Sequence, residues 1–110
     1  MDAELTKSFT FSASYSQGSR NVGANYVFLV CTAALDDTAE AELEAVVGRE
    51  IISKLHTNDF SKVDFLKGVG TTDAALLRAF WSQISGPLAG FSPRRISLQK
   101  DSRTTTTLYV

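Results

Sequence analysis

Lys7 to Tyr15 reads KSFTFSASY, and this stretch decides the fold. Phe9, Phe11, Ala13 and Tyr15 fall on one side, and Ser8, Thr10, Ser12 and Ser14 on the other. Strict alternation over that length marks a strand with one buried face. The next segment, Ser16 to Gly23 (SQGSRNVG), is rich in turn formers and reads as a connecting loop. Asn25 to Ala33 (NYVFLVCTA) is a continuous β-prone run, as expected of a strand buried on both faces. The two strands together predict a hairpin.

Working outward, Asp36-Asp37-Thr38 opens a helix, with Asp37 and Glu40 spaced as a capping box. Leu43, Val46, Val47, Ile51 and Leu55 recur at steps of three and four, giving one apolar stripe to about residue 55. Gly48 interrupts it at a cost of about 1 kcal/mol relative to Ala. His56 to Gly70 is a connecting segment whose Phe60, Val63, Phe65 and Leu66 are expected to lie on the core. Thr71 or Thr72 caps a second helix, buried through Leu76, Leu77, Phe80, Trp81 and Ile84 and ended by Gly86-Pro87. Arg95–Lys100 and Thr105–Val110 alternate on either side of Asp101-Ser102-Arg103, predicting a closing hairpin. The predicted class is α+β in the order β-β-α-α-β-β: one four-stranded antiparallel sheet with both helices on one face. A length of 110 residues makes this a single domain spanning residues 1–110.

Bulk properties exclude several function classes. A chain of this size buries only about two-thirds of its unfolded surface, so oligomerisation is a natural supplement. A formal charge of −1 offers no footprint for nucleic acid or an anionic membrane. Arg94-Arg95 is the only basic pair and reads as the solvated opening of a strand. The longest apolar run, Tyr26 to Leu35, is about half of what a membrane helix needs. No basic segment followed by an apolar stretch opens the chain, so no signal peptide is expected. The single cysteine, Cys31, allows no internal disulfide and reads as a buried core thiol in a reducing, cytoplasmic setting. Gly68-Val69-Gly70 lacks the third glycine and the lysine of a phosphate loop.

Several local sequences in this order resemble the 6-pyruvoyl-tetrahydropterin synthase family, which has the tunnelling fold. Phe9 to Tyr15 (FTFSASY) is similar to the family's F-x-F-S-A-x-H, and Val22 to Tyr26 (VGANY) to its H-G-H-N-Y. Leu55 to Phe60 (LHTNDF) stands where the family has L-D-H-x-x-L. Thr71-Thr72-Asp73 followed by Trp81 stands where it has T-x-E and a tryptophan about two turns on. The resemblance covers nearly the whole chain, and its departures bear on function. The family's three zinc-binding histidines correspond to Tyr15, Val22 and Ala24, which offer no adequate donor set. No cysteine lies between residues 16 and 21, where the family places one. The expectation is therefore no metal and no cofactor.

The resemblance also supplies candidate site residues. His56, the sole histidine, is either a surviving catalytic acid/base or a helix C-terminal residue favoured by the dipole. The family's pterin-anchoring glutamate corresponds to Lys100. A one-residue shift offers Asp101 instead, on the opposite strand face. Tyr15, Thr71, Thr72, Asp73 and Asp101 are the candidate ligand-binding residues, although Thr71-Thr72-Asp73 also makes an ordinary helix start. The resemblance implies a homo-oligomeric ring, a trimer or hexamer, and a small heterocyclic, pterin-like ligand. Three functions stay open at this point. One is a non-catalytic ring that acts as a binding or scaffold module. Another is a metal-free enzyme using Tyr15, His56, Asp59 and Asp73 in a pocket between subunits. The third is an unrelated two-layer domain.

Overall fold

The computed structural model describes residues 3–110. Two long strands, β1 (Glu4–Gln17) and β2 (Arg20–Ala33), form an antiparallel hairpin. Helix α1 (Asp37–Val47) runs on through a π-helical turn, Gly48–Ile52, and a last turn at Ser53–Leu55. Two short 3₁₀ turns follow, then helix α2 (Asp73–Ile84), β3 (Pro93–Lys100) and β4 (Thr104–Tyr109). The strands form one sheet in the order β1-β2-β3-β4, antiparallel throughout. This is the β-β-α-α-β-β architecture that the sequence predicts.

The alternation of KSFTFSASY does what it promised. Phe11, Ala13 and Tyr15 are buried, while Thr10 and Ser12 are exposed. Register then fixes whole rows across the sheet. Phe11 pairs with Tyr26, which pairs with Lys100, and Phe9 pairs with Phe28, which pairs with Leu98. Phe80 of α2 presses on this face, with ring centroids 5.4 Å from Phe28 and 6.3 Å from Phe11. Leu43, Val47, Ile51 and Leu55 of the first helical segment are fully buried beside it. Ile51 and Leu55 stay on the core side through the π turn.

Three sequence expectations need correction. Ser16–Gly23 is not a loop: the ladder runs to Gln17↔Arg20, and only Gly18-Ser19 forms the turn. Gly18 has φ +64, a conformation glycine adopts without strain, so two residues suffice. Turn-prone residues sit in the strands here because ladder hydrogen bonds depend on backbone, not on apolar side chains. Next, the α1 cap is Asp36 rather than Asp37, its Oδ1 accepting from the Ala39 amide at 2.8 Å. Finally, β2 is not buried on both faces. Val27 and Leu29 are half-buried, because among the described residues no helix or strand covers the side of the sheet away from the helices.

Arg94 and Arg95 do more than open a strand. Both reach Glu4, at 3.0 and 3.3 Å, and hydrogen bonding from Arg94 foremost holds the Glu4 carboxyl below its usual range. The pair thus ties β3 to β1 across β2, where the Cys31 thiol lies buried.

Candidate functional site

Two clusters of polar side chains occupy the same end of the sheet, on opposite faces. The helix-facing cluster follows from strand parity. Tyr15 and Val22 are direct partners, and Ala24 is two residues along the same face of β2. These three positions, assigned to metal ligands by the resemblance, therefore converge as that role requires. A phenol, an isopropyl and a methyl group do not make a zinc site. Among the described residues, no group of three or more His, Cys, Asp or Glu side chains could hold a metal ion.

Lys100 shares this face through its pairing with Tyr26. Its ammonium donates a hydrogen bond to the Tyr15 hydroxyl. The same Nζ lies 4.2 Å from the centroid of the Tyr15 ring. Among the described residues Lys100 forms no ion pair with a carboxylate. Tyr26 is 1% exposed, stacked on Phe11 at 5.1 Å and tilted against Phe60 at 5.7 Å. Its hydroxyl has no hydrogen-bond partner among the described residues. Burial foremost, then the negative charge of Asp73, pushes the Tyr26 phenol well above its usual range. A cavity of about 250 Å³ opens on this side, walled by Tyr15, Phe60, Leu66, Lys67, Thr71 and Leu76; Lys100 and Tyr26 do not line it.

The opposite face carries Ser12, Ser14, Asn25 and Asp101. Ser12 donates to Asn25, and the Asn25 amide donates to Asp101 at 3.0 Å, shaping a groove of about 370 Å³ completed by Thr57 and Asn58. Residues 56–59 dock along the edge of β1 to build its wall. The Thr57 amide donates to Ser12 O at 2.7 Å and the Ser14 amide to Asn58 O at 3.1 Å. Thr57 adopts φ +63, an outlier for a β-branched residue. His56 Nδ1 accepts from the Ser12 amide at 3.1 Å, so the ring holds the edge strand. Asp59 accepts from Ser14 at 3.0 Å and from Ser61. The Ser61 hydroxyl foremost, then the Ser61 amide and the Ser14 hydroxyl, lower its carboxyl pKa.

The sequence-predicted residues are thus split. Tyr15 and Thr71 line the helix-side cavity, with Asp73 close enough to act electrostatically on Tyr26. Thr72 is the α2 cap, accepting from Ala75 at 3.2 Å. His56 and Asp101 lie on the other side of the sheet, and Asp101 is not brought to Thr71. The unpartnered hydroxyl of Tyr26 and the docking of Thr57-Asn58 on β1 are features sequence reasoning missed. The alternating row Phe11, Ala13, Tyr15 against Ala24, Tyr26 held the signal for the first.

The chain matches no protein-family model and no curated protein. Among solved structures it is similar to the 6-pyruvoyl tetrahydropterin synthase of Caenorhabditis elegans, with a TM-score of 0.75 and 16% identity over 100% of this chain and 96% of that one. It is also similar to that of Plasmodium falciparum, with a TM-score of 0.60 and 12% identity over 99% of each. At such identities the likeness establishes a shared fold over the full described length, and no more.

Proposed function

We propose that the chain is a divergent 6-pyruvoyl-tetrahydropterin-synthase-like protein without the zinc-dependent synthase activity. On this reading it acts in the cytoplasm as an oligomeric binding or scaffold module for a small heterocyclic, pterin-like ligand. The observation that carries it is the convergence of Tyr15, Val22 and Ala24 on one face, with no metal donor set among them. A ring of copies is supported by the open sheet edges. The 56–59 segment covers β1 near Ser12 and Ser14 only, and β4 pairs with β3 alone among the described residues. Among the described residues no helix is long and apolar enough to cross a membrane.

Elemental metal analysis alongside light scattering tests the proposal. A trimer or hexamer without stoichiometric zinc, and without synthase turnover, is the expected result. About one zinc per chain would overturn it.

The metal-free enzyme alternative has less support within one chain. His56 and Asp59 hold the β1 edge while Tyr15 lines the cavity on the helix side, so convergence would need a second subunit.

A further inference from the structure

The groove on the face away from the helices is floored by the ladder pairs Ser12–Asn25 and Ser14–Gly23. Strand β3 ends at Lys100, level with Tyr26, so no third strand runs beside this part of the ribbon. Asp101 takes that place. Its amide donates to Asn25 O at 2.8 Å, and its Oδ1 accepts from the Asn25 amide at 3.0 Å. The other wall is Thr57-Asn58, docked on β1. Thr57 and Asp101 both hold left-handed backbone, φ +63 and +51, and such conformations cluster at ligand sites. Gly23 leaves the floor open: strand parity points a side chain there into the groove, and a Cβ would meet no atom within 4 Å. The volume, about 370 Å³, falls at the small end of the roughly 300–1,000 Å³ typical of ligand sites.

The groove's charge is one-sided. On the floor, Ser12 is matched to Asn25 at 2.7 Å and Ser14 to Asp59 at 3.0 Å. Asp101 Oδ2 accepts no hydrogen bond, and its carboxylate forms no ion pair among the described residues. No Lys, Arg or His side chain lines the groove, and Asp59 sets a second carboxylate one hydrogen bond behind Ser14. Lys100, the neighbour of Asp101, is spent on Tyr15 across the sheet. Both Asp101 and Thr57 are exposed, so a ligand in the groove reaches them.

We propose that this groove binds a small primary amine as its ammonium ion, anchored by Asp101 with the Thr57 hydroxyl as a neutral acceptor. An ammonium carries three donors and no acceptor, which suits a wall whose free carboxylate oxygen has no cation of its own. The polar floor suits a hydroxylated rather than an apolar body. This goes beyond the pterin-like reading, because the groove lies across the sheet from the helix-side cavity and calls for a cation rather than a neutral heterocycle.

Amide chemical-shift titration of the full chain tests this, because it reports both affinity and place. The probes are ethanolamine, its uncharged isostere ethylene glycol, and the neutral heterocycle 2-aminopyrimidin-4-one. Ethanolamine is expected to move the Asn25 and Thr57 amides and to bind at least tenfold more tightly than either of the others. Asp101→Asn keeps an acceptor for the Asn25 amide and tolerates left-handed backbone, so it should fold normally and lose at least tenfold in affinity. Gly23→Val suits a strand and fills the floor, so it should abolish binding with the sheet intact. Equal binding of ethanolamine and ethylene glycol, or unchanged affinity in either variant, would overturn the proposal. Tighter binding of the aminopyrimidinone at these amides would overturn the ammonium class. Shifts confined to other residues, or none at tens of millimolar ethanolamine, would overturn the site, and the ring and metal measurements would stand apart from either result.

Discussion

Replacing Tyr26 with Phe should make the protein more stable, and the size of the gain follows from one hydroxyl. The Tyr26 ring is 1% exposed, and its Oη has no hydrogen-bond partner among the described residues. An unsatisfied buried hydroxyl costs about 1–3 kcal/mol, and removing one oxygen forfeits only a few tenths in dispersion contacts. The stacking on Phe11 and the tilted contact with Phe60 belong to the ring and survive the substitution. A net gain of about 1–2 kcal/mol should therefore appear as a urea midpoint raised by roughly 0.5–1 M. Protomer concentration must match between variants, since assembly shifts apparent stability.

The same substitution has a signature in alkali. Burial raises the folded phenol, so the folded state keeps its proton after the unfolded state has lost it near pH 10. The unfolded state then binds fewer protons, and Tyr26 contributes a loss of stability above about pH 10. Its slope reaches at most about 1.4 kcal/mol per pH unit. Tyr26→Phe lacks that contribution, so its advantage over the wild type should widen above pH 10 and stay flat below it. An unchanged or lowered urea midpoint, with m unaltered, would refute the reasoning. It would mean that the hydroxyl has a partner in solution.

Phe80→Ala should cost about 3–5 kcal/mol, because the ring is fully buried among Phe11, Phe28 and Phe65; chemical denaturation of the pair measures it. Asp36→Ala should cost about 1 kcal/mol and Asp37→Ala distinctly less, since only Asp36 accepts from the Ala39 amide. Thermal melts separate the two, and equal losses would contradict the cap assignment. Asp59 has a lowered pKa in the folded state, so its stabilisation is present above the ordinary carboxylate range and fades as pH falls through the folded value. The stability gap between wild type and Asp59→Asn should therefore narrow below about pH 4. His56→Ala should speed amide exchange at Ser12 while leaving Phe28 protected, because only the β1 edge loses its acceptor.

Element order and the buried faces were legible in the chain because they rest on local periodicity. KSFTFSASY could alternate in only one way, and the Leu43–Leu55 stripe and Phe80 announced their burial by spacing alone. The hairpin tip was not legible. SQGSRNVG has turn composition, yet it forms strand because pairing propagates from the ladder already built below it. The edge docking of Thr57 and Asn58 is a contact across more than forty residues, and no local pattern encodes it.

The candidate site divides along the same line. By itself the sequence determined which chemical groups were available: no zinc donors at Tyr15, Val22 and Ala24, one histidine, and a lysine where an acceptor was expected. Tertiary structure alone decided which of them meet. Strand parity put Tyr15, Tyr26 and Lys100 on one face, while the docking of residues 56–59 along β1 and the turn after Lys100 put His56 and Asp101 on the other. The physical reason is that a side chain's identity is fixed residue by residue. Its neighbours are fixed by register, and a one-residue difference in register exchanges the two faces of a sheet.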